Sequence, residues 1–257
     1  MRFALETRLG MPAANDFADQ LTNRLEAAGG TVLREDEKPD MVLAVGGDGT
    51  MLAAVRRSLG WDVPVLGFNL GTLGFLANAE PSDLDSVAER LLNGDFTIED
   101  RLTVSATVGA VNAVGVNDVV VEKIDSTRLV SLDVSIDGLP FVTYQADGLV
   151  VATPTGSTAY SFSARGPLVD PRVEALVMTP VASHSLFDRP LVLPADAEIE
   201  ITVARDRGVR VNVDKGDLGE LGEGETVKIE QGPRPARFVV LNSRDFPGLV
   251  KEKFGLD

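Results

Sequence analysis

Apolar residues recur in two different rhythms along this chain, and the change comes near residue 97. Before it, short unbroken apolar runs alternate with segments of helical period. Residues 2 to 5 read as a first strand. "PAANDFADQLTNRLEAAGG" sets Phe17, Leu21 and Leu25 four apart on one helical face, with Pro12 suited to the helix start and Gly29-Gly30 to its end. "MVLAV" reads as a buried strand that ends at glycine, residues 50 to 59 as a helix with Arg56 and Arg57 toward water, and "VPVLGFNLG" as another strand. "SDLDSVAERLLNG" has a capping pattern, Ser82 with Asp85 three residues on, and a stop at Asn93-Gly94. Strand and helix in alternation predict an α/β domain with a largely parallel sheet.

After residue 97 the period shortens to two. "FTIEDRLTVSATV", "NAVGVNDVVVEK", "LVSLDVSIDGLPFVTYQADGLVVATP", "AEIEITVA", "GVRVNVD" and "ETVKIEQG" leave little room for helices, and Asp137-Gly138 makes a hairpin turn between alternating runs. The pattern predicts a β-rich, mainly antiparallel domain over 97–234. The tail "ARFVVLNSRDFPGLVKEKFGLD" reads as one strand and a last helix with Phe246, Leu249, Val250 and Phe254 on one face.

Composition narrows the chemistry. The chain has no cysteine and a single histidine, His184, so thiolate and multi-histidine metal sites are excluded. Its net charge of −15 argues against nucleic acid, whose phosphates want a basic stripe. An acidic surface poor in lysine fits a salt-rich cytoplasm and equally plain solubility. No apolar run reaches the roughly 18 residues of a membrane span, and the first residues do not read as a signal peptide, so a soluble cytoplasmic protein without a membrane partner is expected.

Three stretches carry candidate chemistry. In "VLAVGGDGTML" a strand runs through glycines into a helix N-terminus, where free N–H groups and the helix dipole favour anions. Gly46, Gly47, Gly49 and Thr50 suit phosphate oxygens. Asp48 would repel them, so it reads as a proton acceptor for a hydroxyl nucleophile, as a ligand for Mg²⁺, or as a plain helix-terminal acid in a tight turn. In "QADGLVVATPTGSTAYSFSARGP", Thr153, Thr155, Ser157, Thr158, Ser161 and Ser163 with Tyr160 suit a pocket for a nucleobase, or a solvated loop. In "VNDVVV", Asn117 and Asp118 read as a turn or as a pair for ribose hydroxyls. Loops of the P-loop and dinucleotide-fold patterns are absent from the sequence.

"GGDGT", "GFNLGTLGFLANAEP", "VNDVVVEK", "ADGLVVATPTGSTAYSFSARGPLVDP" and "SLFDRPLVLPADAEIEI", in that order, resemble the NAD kinase family over nearly the whole chain. The glycine-acid loop alone is shared with lipid kinases of the diacylglycerol type; "TPTGSTAYSFSA" is much more specific. The resemblance implies the family's two-domain fold, with the C-terminal tail returning to the first domain so that 1–96 and 235–257 form one unit, and transfer of a phosphoryl group from ATP or polyphosphate to the 2′-hydroxyl of the adenosine ribose of NAD, giving NADP. It also implies a divalent metal, Mg²⁺, and a homodimer or homotetramer.

It implies Asp48 as general base, with Gly47, Gly49 and Thr50 near the phosphates. Asn117 and Asp118 would serve the ribose and adenine side, Thr155, Thr158, Ala159, Tyr160 and Ser163 the adenine and ribose pocket, and Asp147 the nicotinamide half. Arg128 is implied as a subunit contact. Two positions depart from the family's pattern: Asp118 replaces a common glutamate, and Arg165 stands where a glycine is usual. His184 falls in a stretch that reads as structural. The competing readings are a lipid kinase of the diacylglycerol type and a non-catalytic nucleotide-binding regulator.

Overall fold

The fold is that of a computed structural model, described over residues 1–8, 10–33, 37–71, 74–77, 79–205, 207–242 and 245–256. Thr72, Leu73 and Asn78 of the "GFNLGTLGFLANAEP" stretch, and Ser243, Arg244 and Asp257 of the tail, lie outside the described residues. The elements begin β1 (Arg2–Thr7), α1 (Pro12–Ala27), β2 (Thr31–Leu33), β3 (Met41–Gly46), α2 (Asp48–Trp61), β4 (Val65–Asn69), α3 (Leu84–Asn93) and β5 (Thr97–Arg101). Then come β6 (Val104–Val108), β7 (Val111–Gly115), β8 (Asp118–Lys123), β9 (Val130–Ile136), β10 (Leu139–Ala146), β11 (Gly148–Ala152), α4 (Tyr160–Ser163) and β12 (Ala175–Val181). The chain ends with β13 (Leu191–Pro194), β14 (Ile199–Val203), β15 (Val209–Val213), β16 (Gly216–Leu221), β17 (Thr226–Gln231), β18 (Ala236–Val240) and α5 (Phe246–Phe254). Two compact units result, residues 1–100 with 236–257, and residues 101–235.

The first unit is a six-stranded sheet in the order β2-β1-β3-β4-β18-β5. Strands β2, β1, β3, β4 and β18 pair in parallel. Alternation sorts their side chains to two faces. Met41, Leu43 and Val45 join Leu21 and Leu25 of α1 and Leu91 of α3 in one buried cluster. Met51 of α2 packs against Gly67, where a Cβ would come within 2.8 Å of its sulfur.

Several local expectations are corrected. The expected boundary at 97 falls at Asp100/Arg101, because β5 takes the sheet edge beside β18. Ser82 does not cap α3: a 3-10 turn over Pro81–Asp83 leads in, and the Ser82 hydroxyl contacts Asp83 instead. Arg57 does not simply face water, since it donates to the Leu5 carbonyl and pairs with Glu6, with its guanidinium over the Trp61 ring. Helix α5 has no fully buried residue, and Phe254 is 42% exposed.

The second unit is a sandwich of two antiparallel sheets, β10-β9-β14-β17-β6-β7 and β13-β12-β11-β8-β15-β16. Alternate residues of both, Val119 and Val121 of β8 and Leu132 and Val134 of β9 among them, close on one core. Asp137 and Gly138 both take positive φ, 51° and 74°, as a tight two-residue hairpin turn requires.

Candidate active site

In the first unit the site grows from the carboxyl ends of adjacent parallel strands, where open α/β sheets bind ligands. Strand β3 is buried along its whole length and ends at Gly46. Gly46 has φ 157°, and a Cβ there would sit 2.4 Å from the Thr50 hydroxyl, so the chain can turn into α2 only without a side chain. Asp48 is the first residue of α2. Its carboxylate accepts the backbone N–H groups of Phe75 at 3.3 Å and Leu76 at 3.4 Å. Gly74 gives it room, since a Cβ there would lie 2.1 Å from Oδ1. Thus two peptides from one segment fix the direction of the acid.

A cavity of about 170 Å³ opens at this loop, lined by Arg8, Gly46, Gly47, Asp48, Asn69 and Lys253 among others. Arg8 follows β1, Gly46 ends β3 and Asn69 ends β4. Gly49 and Thr50 are outside this lining: Gly49 is exposed, and Thr50 is buried against Gly46. An acid held beside bare glycine backbone and two cations is arranged to take a proton while phosphate oxygens are neutralised nearby.

In the second unit Asn117 and Asp118 meet the start of the hydroxyl-rich stretch. Asp118 opens β8 and pairs with Ala152, the end of β11. Thr153 then ties the segments together, donating its N–H to the Asn117 carbonyl at 2.9 Å and its hydroxyl to the Val116 carbonyl at 2.5 Å. The 3-10 turn over Thr155–Thr158 lies so close that a Cβ on Gly156 would be 1.9 Å from the Asn117 carbonyl oxygen. The Asp118 carboxylate accepts the Tyr160 backbone N–H. Burial, with the neighbouring Asp214 carboxylate adding to it, pushes the Asp118 pKa up to about 7 against the pull of Lys215 and that N–H. The Tyr160 hydroxyl is raised by burial and by the carboxylates of Glu122, Asp147 and Asp118. Asp147 pairs with Lys123. The buried side-chain oxygen of Asn117 has no hydrogen-bond donor among the described residues.

Of the six hydroxyls, four bond within the protein. Thr153 is spent as described, Ser157 accepts the Val169 N–H at 2.9 Å, Ser161 bonds Thr179 at 3.0 Å, and Thr158 donates to the Thr155 carbonyl at 3.1 Å. Thr155, Thr158, Ala159, Tyr160 and Ser163 remain around the Asn117–Asp118 corner, with Tyr160 and Ser163 exposed. Arg128 lies apart, exposed in the turn between β8 and β9. Arg165 is exposed with φ 70°, a conformation glycine adopts more readily. His184 is exposed and holds the loop after β12 through its backbone N–H to the Gln145 carbonyl.

The first unit therefore has the equipment of a phosphotransferase acting on a hydroxyl. Comparison with known proteins identifies which one. A model of the ATP-NAD kinase N-terminal domain matches residues 14–96, and one of the ATP-NAD kinase C-terminal domain matches residues 116–241. The NAD kinase of Symbiobacterium thermophilum is 37% identical over 277 aligned residues, covering 98% of each chain. That of Moorella thermoacetica is 42% identical over 217, covering 82% of this chain and 70% of its own. Yeast NADH kinase complexed with NADH superposes with a TM-score of 0.89 at 25% identity, covering 100% of this chain and 88% of that one. An Archaeoglobus fulgidus NAD kinase in complex with ATP shares the fold with a TM-score of 0.78 at 23% identity, covering 100% and 98%. The chain belongs to the NAD kinase family, and its activity is the phosphorylation of NAD to NADP. The lipid-kinase and regulator readings give way to it.

Sequence reasoning missed Arg8, Asn69, Lys253 and Asp214. The first two had a signal: each stands at or just past the carboxyl end of a predicted parallel strand. Lys253 and Asp214 had none, because only the folded chain brings α5 to the glycine loop and the β15–β16 turn to Asn117.

Proposed function

We propose that the acceptor is the 2′-hydroxyl of the adenosine ribose of NAD and that Asp48 takes its proton as the bond to phosphorus forms. The observation that carries this is the pair of backbone donors, Phe75 and Leu76, that aim the Asp48 carboxylate at the edge of the glycine-lined cavity. The hydroxyl is a poor nucleophile until a base accepts its proton. Positioning and charge neutralisation supply the rest of the acceleration. Gly46 and Gly47 cradle the phosphates of ATP or polyphosphate. Gly49 and Thr50 act through the shape of the turn.

Asn117, Asp118, Thr155, Thr158, Ala159, Tyr160 and Ser163 recognise the adenosine. The undonated Asn117 oxygen supports this, because a ribose hydroxyl or an adenine amine would satisfy it. Asp147, beside Lys123 and Tyr160, serves the nicotinamide half.

Among the described residues no group of three or more acids or histidines gathers to hold a metal, and Asp48 is the only acid on the cavity wall. That donor set fits Mg²⁺ arriving on the donor's phosphates, an ion that keeps water and takes one or two carboxylates. Bound beside Asp48 it would neutralise phosphoryl charge. The enzyme is a cytoplasmic homodimer or homotetramer, with Arg128 at a subunit contact and no nucleic-acid or membrane partner. Exposed Leu139, Phe141, Leu186 and Phe187 favour assembly, and among the described residues no helix is long and apolar enough to cross a membrane.

The test is incubation with NAD, ATP and Mg²⁺, read with an NADP-specific dehydrogenase, with Asp48→Asn alongside. NADP from the wild type and a loss of about 10²-fold or more in the variant are expected. A variant of equal turnover overturns the role of Asp48.

A further inference from the structure

The last helix reaches the glycine loop. Lys253, on the final turn of α5, lines the same cavity as Gly46, Gly47 and Asp48. Its ammonium lies 5.3 Å from the centroid of the Phe75 ring, and the Phe254 ring stands 6.3 Å from that ring. Phe75 is the residue whose N–H aims Asp48. Among the described residues Lys253 has no carboxylate partner; its contact is an aromatic face. Arg8, across the chain's first turn, is the other cation on this wall and likewise has no ion pair among the described residues.

These facts matter because of the overall charge. Acids outnumber bases 39 to 24, so a polyanionic donor meets repulsion over most of the surface. Several arginines elsewhere on the first unit are held by acids, Arg24 by Asp85 and Arg90 by Asp95 among them. At the cavity two cations keep their charge for something else. Backbone N–H groups at a helix start can orient phosphate oxygens, but they cannot cancel a charge of several units.

We propose that α5 supplies a phosphate-binding residue of the reaction: Lys253, with Arg8, grips the phosphates of the donor. The proposal rests on the reading of this cavity as the donor site. The ammonium offers three rotatable donors to non-bridging oxygens, and the Phe75 ring holds that ammonium at the cavity while offering it no oxygen acceptor. The final helix is then part of the active site, and its half-buried packing leaves the lysine free to extend.

The experiment uses the full-length protein. Lys253→Met keeps an apolar side chain of similar length next to Phe75 and removes the charge; Lys253→Arg restores a cation. Three quantities are measured: KM for ATP, KM for NAD, and the calorimetric Kd for inorganic tripolyphosphate. The expected result for Lys253→Met is a rise of about 10- to 100-fold in the ATP KM and in the tripolyphosphate Kd, the loss typical of a charged hydrogen-bond partner. The NAD KM stays within about twofold, and Lys253→Arg recovers most of the loss.

Unchanged tripolyphosphate binding in Lys253→Met overturns the proposal. So does an equal rise in both KM values with a lowered Tm, which marks a packing role. Wild-type protein that does not bind tripolyphosphate also overturns it. Failure of the Asp48 reading shows differently: Asp48→Asn then retains turnover while the tripolyphosphate series keeps its order.

Discussion

The Asp214 carboxylate accepts the Asn117 backbone N–H at 2.8 Å. It also takes those of Val116 at 2.7 Å and Asp118 at 3.2 Å. One side chain on the β15–β16 turn thus clamps three successive peptides, and so fixes where the Asn117 and Asp118 side chains project. The turn itself is strained for the purpose: Asp214 and Lys215 both have positive φ, 47° and 67°. Asp214→Ala leaves buried N–H groups without an acceptor. We expect a loss of about 2–4 kcal/mol of stability in urea denaturation, together with a raised KM for NAD. A variant as stable as the wild type removes the clamp from the account.

Asp118 gives a pH signature. Its folded pKa, about 7, lies above the ordinary 3.8, so the folded protein holds this proton more tightly than the unfolded chain. Its contribution to stability is complete below about pH 4. As pH rises toward 7 the unfolded chain ionises first, and stability falls by at most about 1.4 kcal/mol per pH unit. Asp118→Asn cannot ionise. Relative to the wild type, the variant is expected to gain stability as pH rises from about 4 to about 7, the difference staying constant above that. Parallel stability curves for the two proteins contradict the assignment.

Arg165 stands with φ 70° and an exposed side chain. Left-handed backbone costs an L-residue about 1–2 kcal/mol relative to glycine, and glycine returns part of that through the freedom of its unfolded chain. Arg165→Gly should therefore raise Tm by a few degrees, on the scale of about 1 kcal/mol. A lowered Tm would assign the arginine a stabilising contact.

Tyr144 is fully buried in the sandwich core, and its hydroxyl has no partner among the described residues. Burial pushes its pKa up to about 12. Removing an unsatisfied hydroxyl costs no hydrogen bond, so Tyr144→Phe should keep or raise stability, by about 1 kcal/mol at most, in urea denaturation. A marked loss would mean that the hydroxyl is paired.

Much of this was legible in the sequence, for local reasons. Phe17, Leu21 and Leu25 at helical spacing gave α1, and Asp137-Gly138 between alternating runs gave the β9–β10 hairpin. The pattern of either stretch alone does not bring Asn117 and Asp118 to the Thr155–Tyr160 segment; the family resemblance implies that they share a pocket. Nor does the pattern separate Thr153, Ser157 and Ser161 from Thr155 and Thr158, because the neighbouring strands and loops decide which hydroxyls turn inward. Thr50, expected near the phosphates, lies buried with its hydroxyl close to Gly46. Asp214 and Lys253 sit about a hundred and two hundred residues from the groups they meet, beyond the reach of any local pattern.

The central claim is that Asp48 is the base. The most direct measurement is the rate of NADP formation by Asp48→Asn against wild type at saturating NAD, ATP and Mg²⁺, with tripolyphosphate binding as a control for an intact donor site. The account predicts a fall of about 10²-fold or more in kcat with binding retained. A kcat within a few-fold of wild type, with the same binding, would mean that another group takes the proton.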